Sequence, residues 1–213
     1  MVVSAQLNQE PKKITNKFFS DHNDIENITP ALKKKKGFTN YNELLNYIEE
    51  KVQNYPQLVS SNFIGESQKG KKIPIVYIKK NKNNYDKKVR VWMQGGLHGI
   101  EPASTESLLY LIHLILEDPN YNYLLDKIEL AISPMANIDG SLKNDRYAAN
   151  GLDLNRDHTK IMAPETKASI KAFNDFNPHV ALDFHEYRPS RKDFAQLSNW
   201  SILCITSRCS YWI

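Results

Sequence analysis

Apolar positions along this chain change period several times, and each change marks an element. Tyr41, Leu44, Leu45, Ile48, Val52 and Tyr55 recur at helical spacing. Asn40 suits the cap, Glu43 three positions later completes a capping-box pattern, and Pro56 closes the predicted helix. Residues 63–70 (F-I-G-E-S-Q-K-G) and 72–78 read as two strands joined by a glycine-containing turn. Residues 81–88 form a polar loop. Val89–Gln94 is a short apolar strand that breaks at Gly95-Gly96, where the backbone bends without a Cβ penalty. Pro102 fits the first turn of a helix, and residues 103–116 are apolar around much of their circumference, which predicts a well-buried helix. Asp118-Pro119-Asn120 reads as a turn. Residues 128–133 form a further strand, 164–176 a helix stopped before Pro178, and 179–185 (H-V-A-L-D-F-H) a last strand.

Strands alternating with helices predict an α/β fold with a mixed, largely parallel central sheet flanked by helices. A chain of 213 residues fits one domain with a leader. Residues 1–37 are polar and Lys-rich and read as a flexible leader with a short helical turn around 17–20. Residues 38–197 form the folded domain. The stretch 198–213 (S-N-W-S-I-L-C-I-T-S-R-C-S-Y-W-I) has no Lys, Asp or Glu, and it holds both cysteines and two of the three tryptophans. Such an abrupt change in a chain that is 24% charged suggests a frameshifted or prematurely ended reading frame near Leu197.

Composition narrows the classes. Hydrophobic residues at 41% place the chain among soluble globular proteins. No apolar run approaches the ~20 residues of a membrane-spanning helix. The opening M-V-V-S-A-Q is too short for a signal peptide, although S-A-Q would fit the trailing edge of one. The compartment therefore stays open: cytoplasmic as written, secreted or periplasmic if a signal peptide was lost upstream. Residues 1–90 carry 17 Lys and Arg against 9 Asp and Glu, and the remainder 11 against 15. The basic runs at 33–36, 69–72 and 79–88 lack a recognition helix or aromatic platform, so they read as solvated leader and turns rather than a nucleic-acid surface.

Chemistry concentrates in three places. His98 and Glu101 follow the strand that ends at Gln94, and His185 ends the strand 179–185. Carboxyl ends of parallel strands open on a common crevice. The three residues make a His₂Glu set, which suits a single catalytic zinc ion with a position left for water. His113, inside an apolar run, reads as packed rather than ligating, and His22, His158 and His179 as surface or turn residues. The second place is the segment 134–163, about 30 residues long and far beyond the usual ~4–6 of a connection. It carries Asn137-Ile-Asp-Gly140, Arg146 and Asn150-Gly-Leu-Asp-Leu-Asn-Arg-Asp157. Arg156 is suited to a bidentate pair with a carboxylate, and Asn155 beside it can donate an amide hydrogen bond. Arg146 offers a cation to a developing oxyanion. Asp153 suits the free ring nitrogen of a ligating histidine. The third is Glu186, a candidate base; its side chain is expected to point away from the face that carries His185, because adjacent strand residues alternate. Neither G-x-S-x-G nor H-E-x-x-H occurs, so a serine-hydrolase elbow and a zincin helix lack support.

H-G-I-E, N-I-D-G, R-x-x-x-N-G-L-D-L-N-R-D and D-F-H-E-Y, in this order, resemble the zinc metallocarboxypeptidases, peptidase family M14. F-I-G-E-S-Q-K-G-K resembles the early G-x-S-x-x-G segment of that family, and the likeness covers roughly residues 40–190. It implies a zinc-dependent exopeptidase that cleaves the last peptide bond of a substrate with a free C-terminal carboxylate. His98, Glu101 and His185 match the zinc ligands, and Arg146 the carbonyl-polarising arginine. Asn155 and Arg156 match the pair that grips the terminal carboxylate, Asp153 the carboxylate that orients the first histidine, and Tyr187 the tyrosine after the third ligand. Ile100 stands where digestive members have an arginine, and Glu186 replaces a small polar residue. The family's general-base glutamate and its capping tyrosine fall beyond the point where the likeness stops, so the expectation is a chain truncated before that base. Two alternatives remain open: a zinc amidohydrolase acting on N-acyl amino acids or peptidoglycan stem peptides, and a non-catalytic metal-binding fragment.

Overall fold

The computed structural model describes residues 27–80, 88–187 and 202–207, with backbone alone for residue 187 and for 202–207. The expected helical turn near 17–20, the core of the polar loop 81–88 and most of 198–213 lie outside the described residues.

Helix α1 (Tyr41–Asn54) starts at Asn40, whose side chain accepts the Glu43 N–H while the Glu43 carboxylate accepts the Asn40 N–H. Both bonds satisfy amides that an uncapped helix would leave orphaned. Ahead of it, residues 27–37 form turns in which Thr29 is buried, and Lys34 bonds the Glu43 carboxylate. Strands β1 (Val59–Glu66) and β2 (Lys72–Ile78) form an antiparallel pair with an irregularity between Phe63 and Gly65. Strand β3 (Val89–Gln94) leads through a turn into helix α2 (Pro102–Glu117). The expected turn at 118–120 extends into a one-turn helix α3 (Pro119–Asn122) and a 3₁₀ turn (Tyr123–Asp126), because Asp118 caps the Asn120 N–H and restarts helical geometry.

Strand β4 (Ile128–Ser133) is followed by the long segment, which contains helices α4 (Ile138–Lys143) and α5 (Leu154–Asp157). Helix α6 (Pro164–Phe176) and strand β5 (Val180–Tyr187) complete the expected pattern, and β6 (Ile202–Ser207) adds an edge strand in the compositionally atypical stretch.

The six strands make one mixed sheet in the order β1-β2-β4-β3-β5-β6. Parallel pairing is central, with β3 between β4 and β5, while β2 joins β4 and β6 joins β5 antiparallel. Alternation along the strands sends Val91, Met93, Leu130 and Ile132 to a large core with Leu44 and Ile48 of α1 and Leu108, Leu109 and Ile112 of α2. Trp92 and Ala131 face the other way, onto Ala172 and Phe173 of α6, with the Trp92 and Phe173 rings edge to face at 5.6 Å. The chain is therefore an α/β sandwich. Its central parallel strands β3 and β5 finish side by side, Gln94 paired with Asp183, and this brings His98 and His185 to one crevice.

Candidate metal centre

The turn after β3 is fixed from both sides. Gly96 adopts φ +64°, a conformation that favours glycine. Its N–H donates to the Ser104 hydroxyl, which in turn donates to the Glu101 carbonyl, so one side chain at the start of α2 ties both ends of the turn. From the other side, the Ala136 and Asn137 amides donate to the Gly95 and Gly96 carbonyls. The fully buried Asn137 amide donates to the carbonyls of Leu97, at 3.2 Å, and Arg146, at 3.4 Å, and accepts the Gly140 N–H. Asp139 reaches the β1–β2 turn, accepting the Ser67 hydroxyl and the Lys69 N–H, each at 3.0 Å. The N-I-D-G motif is thus a clamp that holds the H-G-I-E turn, the Arg146 segment and the β1–β2 turn together.

His98, Glu101 and His185 are buried, and one ligand atom of each lies within 4.8 Å of the others. The Glu101 carboxylate is shared: Oε1 is 2.7 Å from His98 Nδ1 and Oε2 is 2.7 Å from His185 Nδ1. Both rings turn their Nε2 atoms outward to further carboxylates. His98 Nε2 lies 3.1 Å from Asp153 Oδ1, and His185 Nε2 lies 3.0 Å from Asp183 Oδ2. Burial by itself would push the Glu101 carboxyl up, but the bonds from both histidines outweigh it and hold the group at about 2. Burial would likewise lower His185, yet Asp183 and Glu101 raise it to about 9.

This arrangement fits a metal ion such as zinc. Two imidazole nitrogens and one carboxylate converge, and each imidazole sets its remote nitrogen within hydrogen-bond distance of a carboxylate, the arrangement ligating histidines ordinarily have. Asp153 carries more than one contact. Besides His98 it accepts the Arg146 Nε and Nη2 groups at 3.1 and 2.9 Å, and its Oδ1 caps α5 through the Asn155 and Arg156 amides. Its carboxyl would be raised by burial but is held below the usual range by His98 and Arg146. Arg146 Nη1 also lies 3.8 Å from Glu101.

The structure therefore brings His98, Glu101, His185, Asp153 and Arg146 into one constellation. Asn155 joins it through His185, its Nδ2 atom 3.2 Å from Nε2. Arg156 is exposed, and its guanidinium makes no ion pair among the described residues. The Tyr187 side chain lies outside the described residues. Glu186 accepts the Ala103 N–H at 3.1 Å and so serves the start of α2. Sequence reasoning passed over Asp183, although the D-F-H spacing, two residues apart on a strand, puts both side chains on one face. It also passed over the clamp formed by Asn137 and Asp139, because those partners are remote in sequence.

An α/β sandwich with a His₂Glu cluster at the ends of adjacent parallel strands, backed by carboxylates, has the layout of a protein built around a metal site. Residues 44–181 match the family model described as zinc carboxypeptidase. The chain belongs to that family, peptidase family M14. Among curated relatives, "Carboxypeptidase 2" of Trichophyton tonsurans is 37% identical over 131 residues, covering 59% of this chain and 24% of the relative. "Carboxypeptidase D" of Mus musculus is 28% identical over 164 residues, covering 68% and 12% respectively. The chain thus spans about a quarter or less of the length of these relatives. Among solved structures, the carboxypeptidase A of Helicoverpa armigera superposes with a TM-score of 0.66 at 21% identity, covering 83% of this chain and 52% of that one. A metallo-carboxypeptidase from Burkholderia cenocepacia gives 0.64 at 22% identity, covering 69% and 41%. At these identities the structural likeness speaks for the fold. Among the described residues, no helix is long and apolar enough to cross a membrane.

Proposed function

We propose that residues 38–197 carry the zinc-binding and carboxylate-binding parts of a metallocarboxypeptidase that acts on peptides with a free C-terminal carboxylate. The observation that carries this reading is the convergence of His98 Nδ1, His185 Nδ1 and the Glu101 carboxylate in a buried cluster, with a guanidinium 3.8 Å from that carboxylate. His98, Glu101 and His185 would hold one zinc ion. When bound, zinc supplies Lewis acidity, activating water near neutral pH and polarising a carbonyl.

The remaining roles fall to the chain's own groups. Asp153 holds His98 by its Nε2 side and at the same time anchors the Arg146 fork, so metal ligand and oxyanion-stabilising cation share one support. Arg146 would steady negative charge that develops on a substrate carbonyl oxygen, a reading its position 3.8 Å from Glu101 supports. Arg156, exposed and without an ion pair among the described residues, is suited to a bidentate grip on the substrate's terminal carboxylate, with Asn155 beside it and Tyr187 as a further candidate substrate contact.

Calorimetric binding to the zinc-loaded chain tests this assignment, with an N-blocked dipeptide in its free-acid and C-terminally amidated forms. The free acid is expected to bind roughly tenfold or more tightly, the scale of a charge-assisted hydrogen bond, and Arg156→Ala to erase the difference. Equal binding of acid and amide by the native chain would remove the carboxylate-grip assignment.

A further inference from the structure

The resemblance supplies an orienting carboxylate for His98 alone; the structure offers one for His185 as well. Asp183 sits two residues ahead of His185 on β5, on the same face of the sheet, with Oδ2 3.0 Å from His185 Nε2. We propose that Asp183 is a positioning residue for the third metal ligand, fixing the His185 ring so that Nδ1 faces the Glu101 carboxylate. This deepens the zinc reading above and rests on it.

Two of the groups beside His185 Nε2 differ in chemistry. Asp183 presents a carboxylate, which only accepts; Asn155 presents an amide, with Nδ2 at 3.2 Å. If Nδ1 serves a metal ion, Nε2 carries the hydrogen and needs an acceptor. An amide NH₂ facing that N–H would set donor against donor, so the hydrogen goes to Asp183. Asn155 then turns its amide oxygen toward the ring or releases it, which leaves its NH₂ for substrate.

The two halves of the centre become equivalent. His98 is held between Glu101 and Asp153, at 2.7 and 3.1 Å, and His185 between Glu101 and Asp183, at 2.7 and 3.0 Å. They are built from different elements. Asp153 comes from the long segment and its position depends on the Arg146 contacts, whereas Asp183 lies on the same strand as its histidine. The geometry of a β-strand therefore places the Asp183 and His185 side chains on one face without any contact from the long segment. Rotation of the His185 ring about χ2 is opposed by bonds at both nitrogens, to Asp183 on its own strand and to Glu101 at the end of the turn after β3.

Two readouts test the proposal on the full chain, with Asp183→Ala, Asp183→Asn and Asn155→Ala beside the native protein and circular dichroism confirming the fold of each. The first is zinc affinity, by competition with a chromophoric chelator. Asp183→Ala is expected to weaken it roughly 10- to 100-fold, the usual cost of losing a partner behind a ligating histidine. Asp183→Asn keeps an acceptor and should recover part of that loss. The second is exchange protection of the His185 Nε2 proton by ¹⁵N-resolved NMR, with and without zinc. Protection should persist in Asn155→Ala and disappear in Asp183→Ala. Unchanged affinity in Asp183→Ala, or protection lost in Asn155→Ala but kept in Asp183→Ala, would overturn the assignment. If the native chain binds no zinc, the zinc reading fails, and the proton readout still decides whether Asp183 holds the ring.

Discussion

Gly99 shows how a single position can be constrained by something remote. A Cβ there would fall far inside contact with the Gly140 carbonyl group and the Ser141 amide, all backbone atoms that cannot swing aside. The glycine of H-G-I-E is therefore required by the neighbouring N-I-D-G motif. Gly99→Ala should cost on the order of 3 kcal/mol, at the upper end of overpacking effects, and lower the thermal midpoint. A variant as stable as the native chain would show that the two turns are not in fixed contact. Ile161 is the opposite case. It is β-branched, 42% exposed, and held at φ +56°, where such residues are strained. Asn tolerates that conformation and little burial would be lost. Ile161→Asn should therefore raise stability by about 1 kcal/mol, read as a higher urea midpoint; a lower one would contradict the strain. Neither feature was legible in the sequence. The first depends on a contact 41 positions away and the second on a backbone angle; the candidate ligands His98 and Glu101, by contrast, stood out by type and spacing once His185 supplied a third donor.

At the scale of elements, legibility followed the strength of local signals. Helix α1 begins where Asn40 and Glu43 predict, because both halves of its capping box lie within four residues. The long segment 134–163 hid two helices of six and four residues. Pieces that short have no apolar period to read, and they are set by side-chain caps: Asn137 at the Gly140 N–H, Asp153 at the Asn155 N–H. The end of the segment is tied by Asp157, which is buried and accepts the amides of Met162 and Ala163 at 3.0 and 2.8 Å. Burial would raise its carboxyl, but the Ala163 and Met162 amides hold it below the ordinary Asp range. A carboxyl depressed by folding contributes stability above its unfolded pKa, and that contribution is lost as pH falls through the folded value. The native chain should therefore exceed Asp157→Asn by about 2 kcal/mol at neutral pH, with the gap closing below roughly pH 4. Urea midpoints measured between pH 7 and pH 3 read this directly. A gap that stays constant across that range would show that the charge on Asp157 contributes nothing.

Across the whole molecule, the sheet does the assembling. Strand β3 delivers His98 and Glu101 to the end of the parallel centre, β5 delivers His185 and Asp183, and the long segment folds over them with Asp153 and Arg146. The α/β class and the elements that carry the candidate ligands could be read from alternation and helical period, and the meeting of two remote histidines followed from the rule that parallel strands open on one crevice. The antiparallel β2–β4 pairing, the edge strand β6 and the hydrogen-bonded clamp depended on pairings between segments apart in sequence, which no local pattern encodes. Everything proposed about chemistry rests on one buried three-residue cluster holding a metal ion. Metal analysis of the purified chain after equilibration with zinc and gel filtration tests that most directly, beside a His98→Ala/His185→Ala variant shown to be folded. The account predicts close to one chelator-removable zinc per native chain and none in the variant. A folded native chain that retains no zinc, or a variant that retains as much as the native protein, would contradict it.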